Sequence, residues 1–217
     1  MKLQVYVLSA LMLSGCAANR EFIDAGSETI RQAVPATAAI KLQVGAGEVV
    51  IRGVSGSELN AHVELSCQQG DQGCGRRVEK VHFTSQADTS AILISLEPSS
   101  MYAWHDVQAR IDVSVPRDRP LRVQMGAGDL EITGMHNCVA LDMYAGDAEI
   151  HIKESAVGSV SLDVGTGDTA LVVDGKPLAG KRALLVGAEL DWHDGDGWCQ
   201  VLGDLQFGDL TVYLDSE

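Results

Sequence analysis

The chain has 217 residues, with 16 basic against 30 acidic side chains and a formal net charge of −14. That sign excludes a gripping surface for nucleic acid or anionic headgroups, both of which need clustered Lys and Arg. Hydrophobic content of 46% with only 5% aromatic and 23 Gly excludes a disordered chain and suits short strands joined by tight turns, in one or two domains.

Residues 1–15 carry Lys2, an apolar run from Val5 to Leu13 broken only by Ser9, and the small residues Ser14 and Gly15 directly before Cys16. The run is too short for a permanent span and reads as a secretory signal peptide. Leu-Ser-Gly-Cys at 13–16 resembles the lipobox of bacterial lipoproteins, which implies that the peptide is removed and that Cys16 is acylated. Several acyl chains anchor stably where one binds only marginally. Ala17 stands where an Asp would resemble the inner-membrane retention signal of Gram-negative lipoproteins, so the expected address is the outer membrane, facing the periplasm. Loss of Lys2 leaves 15 basic against 30 acidic side chains in the mature chain.

Residues 16–39 are polar and Ala-rich with Pro35 and read as a tether with one weak helix. Residues 40–120 read as an irregular β region. Apolar residues stand two apart over Ile40 to Val44, Val49 to Arg52, Ala61 to Ser66, Val78 to Thr84, Ala91 to Glu97 and Val107 to Val115, the period of half-buried strands. Cys67 and Cys74 enclose Gln-Gln-Gly-Asp-Gln-Gly, so a disulfide closing a hairpin loop is expected between them. A zinc site there lacks the usual spacing and the second ligand pair.

From 121 to 217 a shorter pattern repeats: MGAGDLEI at 125, MYAGDAEI at 143, VGTGDTAL at 164 and, more loosely, LQFGDLTV at 205, with VGAGEVVI at 44 as an early copy and VGAELDWH at 186 as a degenerate one. A period near twenty implies stacked coils, each with two short strands around a Gly corner. Leu210, Val212 and Leu214 before Asp-Ser-Glu read as the last strand with a charged stop. Three coils of about 4.8 Å separate Cys138 from Cys199, roughly 14 Å, so they are expected to stay apart. Residues 40–217 are expected to form one continuous domain.

The strand ending in Val-Pro, the basic turn and the Gly-x-Gly-Asp coil in ARIDVSVPRDRPLRVQMGAGDLEITG at 109–134, with the later copies of that coil, resemble the putative-adhesin family of bacterial envelope proteins. The resemblance implies an all-β fold, a right-handed β-solenoid or flattened β-roll of short stacked coils, with no cofactor and no catalytic motif.

Two features carry candidate chemistry. Asp129, Asp147, Asp168 and Asp209, with Glu48, would form one ladder of acids along a coil edge, and Asp142 and Asp163 a second. Either these acids attract Ca²⁺, or each bonds to backbone N–H groups of its own turn. The loop Asp191 to Trp198 holds Trp192, His193, Asp194, Asp196 and Trp198, types that take a cation or stack on a sugar; the bland alternative is that the Trp residues cover a coil edge. Met101, Tyr102, Trp104 and His105 pose the same choice. No nucleophile elbow, phosphate loop or His pair at metal spacing occurs. The expectation is a non-enzymatic envelope protein without resident metal, held to the membrane by lipid and meeting an unidentified protein or glycan. Nucleic acid is not expected; divalent cations stay open.

Overall fold

Alternating apolar side chains recur in this sequence from Phe22 to Asp215, and most of the described residues are in strands. The computed structural model describes residues 21–98, 104, 107–183 and 186–216; the leader and Cys16 lie outside these. The strands are β1 (Phe22–Ala33), β2 (Ala39–Val54), β3 (Glu58–Gln68), β4 (Val81–Ala87), β5 (Ala91–Pro98), β6 (Val107–Pro116), β7 (Leu121–Met135), β8 (Val139–Lys153), β9 (Val157–Thr166), β10 (Thr169–Val173), β11 (Lys176–Ala179), β12 (Lys181–Ala183), β13 (Gly187–Trp192), β14 (Cys199–Phe207) and β15 (Leu210–Asp215). Among the described residues a short α-helix, α1 (Cys74–Val78), and a 3-10 turn at Glu154–Ala156 interrupt them.

All the strands join one sheet, whose main path runs β1-β3-β6-β2-β7-β8-β14-β9-β13-β12. Long strands β2, β7 and β8 bend midway at Gly47, Gly128 and Gly146, which stand opposite one another in parallel register. Each half then has its own neighbour: before the bend β2 pairs with β5 and β8 with β14, and after it β2 pairs with β6 and β8 with β15. The two wings so formed bury their inner faces in one hydrophobic cluster. Val123, Met125, Leu141 and Met143 come from one wing, and Leu130, Ile132, Ile150, Val212 and Leu171 from the other. Each buried Leu, Ile or Val contributes roughly 1.5–3 kcal/mol, so the rungs hold one another by burial that no single rung has alone.

The repeat glycines line up, though not in chain order. A Cβ on Gly128 would strike the carbonyl oxygen of Gly47, one on Gly146 that of Gly128, one on Gly208 that of Gly146, and one on Gly167 that of Gly208. All five have positive φ, between 122° and 148°. The order in space is therefore 47, 128, 146, 208, 167. The last coil, β14 and β15, lies between β8 on one side and β9 and β10 on the other, parallel to all of them.

That insertion corrects three expectations. Cys138 and Cys199 form a disulfide with Cα atoms 4.8 Å apart, because β14 is the direct neighbour of β8 and the 61-residue separation in sequence does not count coils in space. Strand β15 is an interior strand, not a capping edge. The degenerate copy at 186 is not a coil of the parallel stack: with Glu189 in place of the corner Gly the chain runs straight as β13, antiparallel to β9.

Two further differences lie near the start. The tether expected over 16–39 is replaced from Phe22 by β1, antiparallel to β3, where Ile23, Ala25 and Ile30 offer enough apolar surface for a strand that alternates imperfectly. Cys67 and Cys74 are joined with Cα atoms 5.8 Å apart, but the loop leads into α1 and not across a hairpin, since β3 pairs with β1 and β6. The boundary at 120 does not separate folding units, because β2 pairs with β7 from Ile40–Leu121 to Arg52–Thr133.

Gly146→Val places a Cβ against the Gly128 carbonyl in a backbone region that side chains resist, and should cost about 3 kcal/mol or more. Hydrogen exchange should quicken through β7 and β15 as well as β8; faster exchange confined to residues 140–152 would show that the rungs do not cooperate.

Candidate functional site

The corner row is held by its own backbone. Asp147 Oδ1 accepts the Asp209 N–H at 3.0 Å, and Asp209 Oδ1 accepts the Asp168 N–H at 2.9 Å. These bonds run to the neighbouring rung and not within one turn, at the corner where the bend interrupts the ladder. Each charge-assisted bond is worth roughly 1–2 kcal/mol. Cations stand at both ends of the row: Arg110 lies 3.8 Å from Glu48, and Arg182 3.2 Å from Asp168. The row thus has a structural use for its acids.

The second ladder is longer than its two sequence members. Asp204 of β14 stands between Asp142 of β8 and Asp163 of β9, and Glu189 of β13 continues beyond Asp163. Among the described residues, Asp204 alone of these four carboxylates has a side-chain hydrogen-bond partner, the Gln206 amide, which donates at 2.9 Å. Nothing in the spacing of Asp142 and Asp163 reveals Asp204, because its membership depends on where β14 inserts.

Loop 191–198 does not converge. Trp192 packs partly buried against the core, with Gly195 folded over its ring. Asp194 and Asp196 line a recess above Trp192 together with Glu154 and Asp215. His193 and Trp198 lie outside that recess, and Trp198 is 72% exposed. Among the described residues no three His, Cys, Asp or Glu side chains come close enough to hold a metal ion. Of the cluster at 101–105 only Trp104 is described; its indole lies over Gly45.

A cleft of about 690 Å³ opens beside the Gly47 and Gly128 corner, lined by Trp104, Glu48, Glu64, Asp129 and Arg110. Nearby, on the outer face of β1 and β3, Thr29 Oγ1 meets His62 Nδ1 at 2.8 Å and His62 Nε2 meets Glu64 Oε1 at 3.3 Å. Sequence reading missed this line, since Thr29 and His62 are cross-strand neighbours 33 residues apart. It stands on a solvated face where hydroxyl, imidazole and carboxylate are all exposed, so it behaves as a cross-strand hydrogen-bond network. The shifted carboxylates lie elsewhere and serve turns. Asp71 is held below the usual carboxylate range chiefly by the Gly73 N–H, against some desolvation, with help from Arg77. Asp88 is held low chiefly by the Ser90 N–H and hydroxyl and the Ala91 N–H.

The two tryptophans separate structural from surface roles. Trp192→Ala should lower stability by roughly 2–3 kcal/mol and Trp198→Ala by less than about 0.5 kcal/mol in denaturant titrations; equal effects would contradict the packing described.

No family model matches the chain, and no curated protein does. Among solved structures it is similar to a putative cell adhesion protein from Clostridium sporogenes ATCC 15579, at 10% identity over 88% of this chain and 100% of that one, with a TM-score of 0.49. A putative adhesin from Parabacteroides merdae ATCC 43184 matches at 7% identity over 88% and 79%, with a TM-score of 0.31. A putative lipid binding protein from Parabacteroides distasonis ATCC 8503 matches at 7% identity over 88% and 95%, with a TM-score of 0.23. Likeness at this level carries no argument about what this chain binds.

Proposed function

We propose that this protein is a non-enzymatic lipoprotein of the bacterial envelope, a β-solenoid scaffold whose acidic outer faces are a binding surface. The leader 1–15 is removed, Cys16 carries the lipid, a few residues after it are the spacer, and the rest is one domain facing the periplasm from the outer membrane. The observation that carries this reading is the outward display of acids in register on one continuous sheet. Leu-Ser-Gly-Cys supports the anchor.

A second reading, a glycan site at loop 191–198, has one observation in its favour: Asp194 and Asp196 share a recess above an aromatic ring. It needs Trp192 as a floor for a sugar, without Trp198.

Cys16→Ser should leave the precursor uncleaved and free of labelled fatty acid; label incorporated by that variant ends the lipoprotein reading. For the surface, a photo-reactive residue placed in living cells at Glu131 on one wing and at Gln206 on the other should cross-link to another envelope molecule from at least one position. Silence at both positions would overturn the binding role.

A further inference from the structure

The outward face of the wing built by β8, β14, β9 and β13 exposes apolar side chains that the core does not use. Tyr144 is 61% exposed, Phe207 48% and Leu202 42%. The Tyr144 and Phe207 rings meet edge to face with centroids 5.4 Å apart. Between Leu202 and this pair runs the acid row Asp142, Asp204, Asp163 and Glu189 on four successive strands. At the usual strand spacing it spans about 14 Å.

The sheet does not require that charge. On β2 and β7 the same row is Gln43 and Gln124, so neutral side chains fit it, whereas like charges directly opposite destabilise a sheet. Among the described residues no Lys or Arg forms an ion pair with Asp142, Asp204 or Asp163. At the far end of the row the next register position is Lys181, opposite Glu189 on β12. The row therefore ends on a cation supplied by the chain itself, and its other acids await one.

We infer that this face docks an arginine-rich segment of another protein. A guanidinium pairs with two carboxylate oxygens at once and also stacks on aromatic rings, which suits acids flanked by Tyr144 and Phe207. Side chains this exposed fit a protein surface better than a small molecule, which needs a concavity. Tyr, Phe and Arg are the side chains that concentrate in interface cores. A second copy of this chain would bring its own formal charge of −14 against the same acids, and anionic lipid or nucleic acid is repelled in the same way. The inference rests on the binding-surface reading and names one face and one partner chemistry for it.

The test uses the purified full-length protein in detergent and a labelled peptide alternating Arg and Leu, read by fluorescence anisotropy. Combining Asp142→Asn, Asp163→Asn and Asp204→Asn should weaken binding about tenfold or more, and Tyr144→Ala with Phe207→Ala about threefold to tenfold. Asp129→Asn, Glu131→Gln and Glu149→Gln together, on the other wing, should change it less than about twofold. The row variant should melt no lower than the parent, since it relieves repulsion; a merely structural row would lower the melting temperature. Equal losses from the two acid sets, or no binding by the parent, overturn the inference. The cross-links separate its failure from that of the broader reading: products from Glu131 alone leave a binding protein with the wrong face assigned, and none from either position removes both.

Discussion

The parallel rungs turn at Gly47, Gly128, Gly146, Gly208 and Gly167, all with φ in the region that a side chain resists; a Cβ on each of the last four would strike the carbonyl oxygen of the glycine before it, and one on Gly47 that of Ala109. Five such glycines form a column through the molecule, and the rest of the structure depends on it. Because the column lets backbones bend at the same height, the strands before and after the bend stay in parallel register. That register sets the apolar rows inside and the charged rows outside. A Cβ at any step would push two rungs apart and open both wings at once.

The column also gives two of the acids that follow its glycines a structural use. Where β14 gives way to β15 and β9 to β10 the strands are interrupted at the bend, and a short carboxylate just past the glycine reaches an amide of the next rung, as Asp147 does for Asp209 and Asp209 for Asp168. Buried or half-buried amides left without such partners would be costly. Inside the core the Thr169 hydroxyl serves a carbonyl instead, donating to that of Leu210 at 3.0 Å. Asp147 and Asp209 are therefore part of the fold, whereas among the described residues the carboxylates of Asp142, Asp163 and Asp204 accept from no backbone amide.

Insertion of the last coil into the middle of the sheet has an energetic consequence. Strands β8 and β9 are close in sequence yet never pair, and both wait for residues 199–215 to fill the space between them. Contacts of such separation have a high closure entropy. The Cys138–Cys199 disulfide closes that long loop at the entry to β8 and β14, which lessens the entropy of the unfolded chain where the topology is most demanding. The Cys67–Cys74 bridge closes a short loop, and its effect is correspondingly local.

Strand positions, the inward and outward alternation, the corner glycines and the Cys67–Cys74 pairing were legible in the residues themselves, because period-two burial, positive-φ glycine and short loop closure are local physics. The order of the rungs was not. Copies at 125, 143, 164 and 205 look alike, and any of them satisfies the same neighbour, so sequence proximity suggests a stack in chain order. Tertiary packing decided otherwise, through β11, β12 and β13 turning back antiparallel at the end and leaving a vacancy beside β8 for the last coil. From that one choice came the second disulfide, the interior position of β15, and the place of Asp204 between Asp142 and Asp163. Phe22 to Ala33 became a strand for a similar reason: its own alternation is weak, and the open edge of β3 supplied the backbone partners that sequence alone does not reveal.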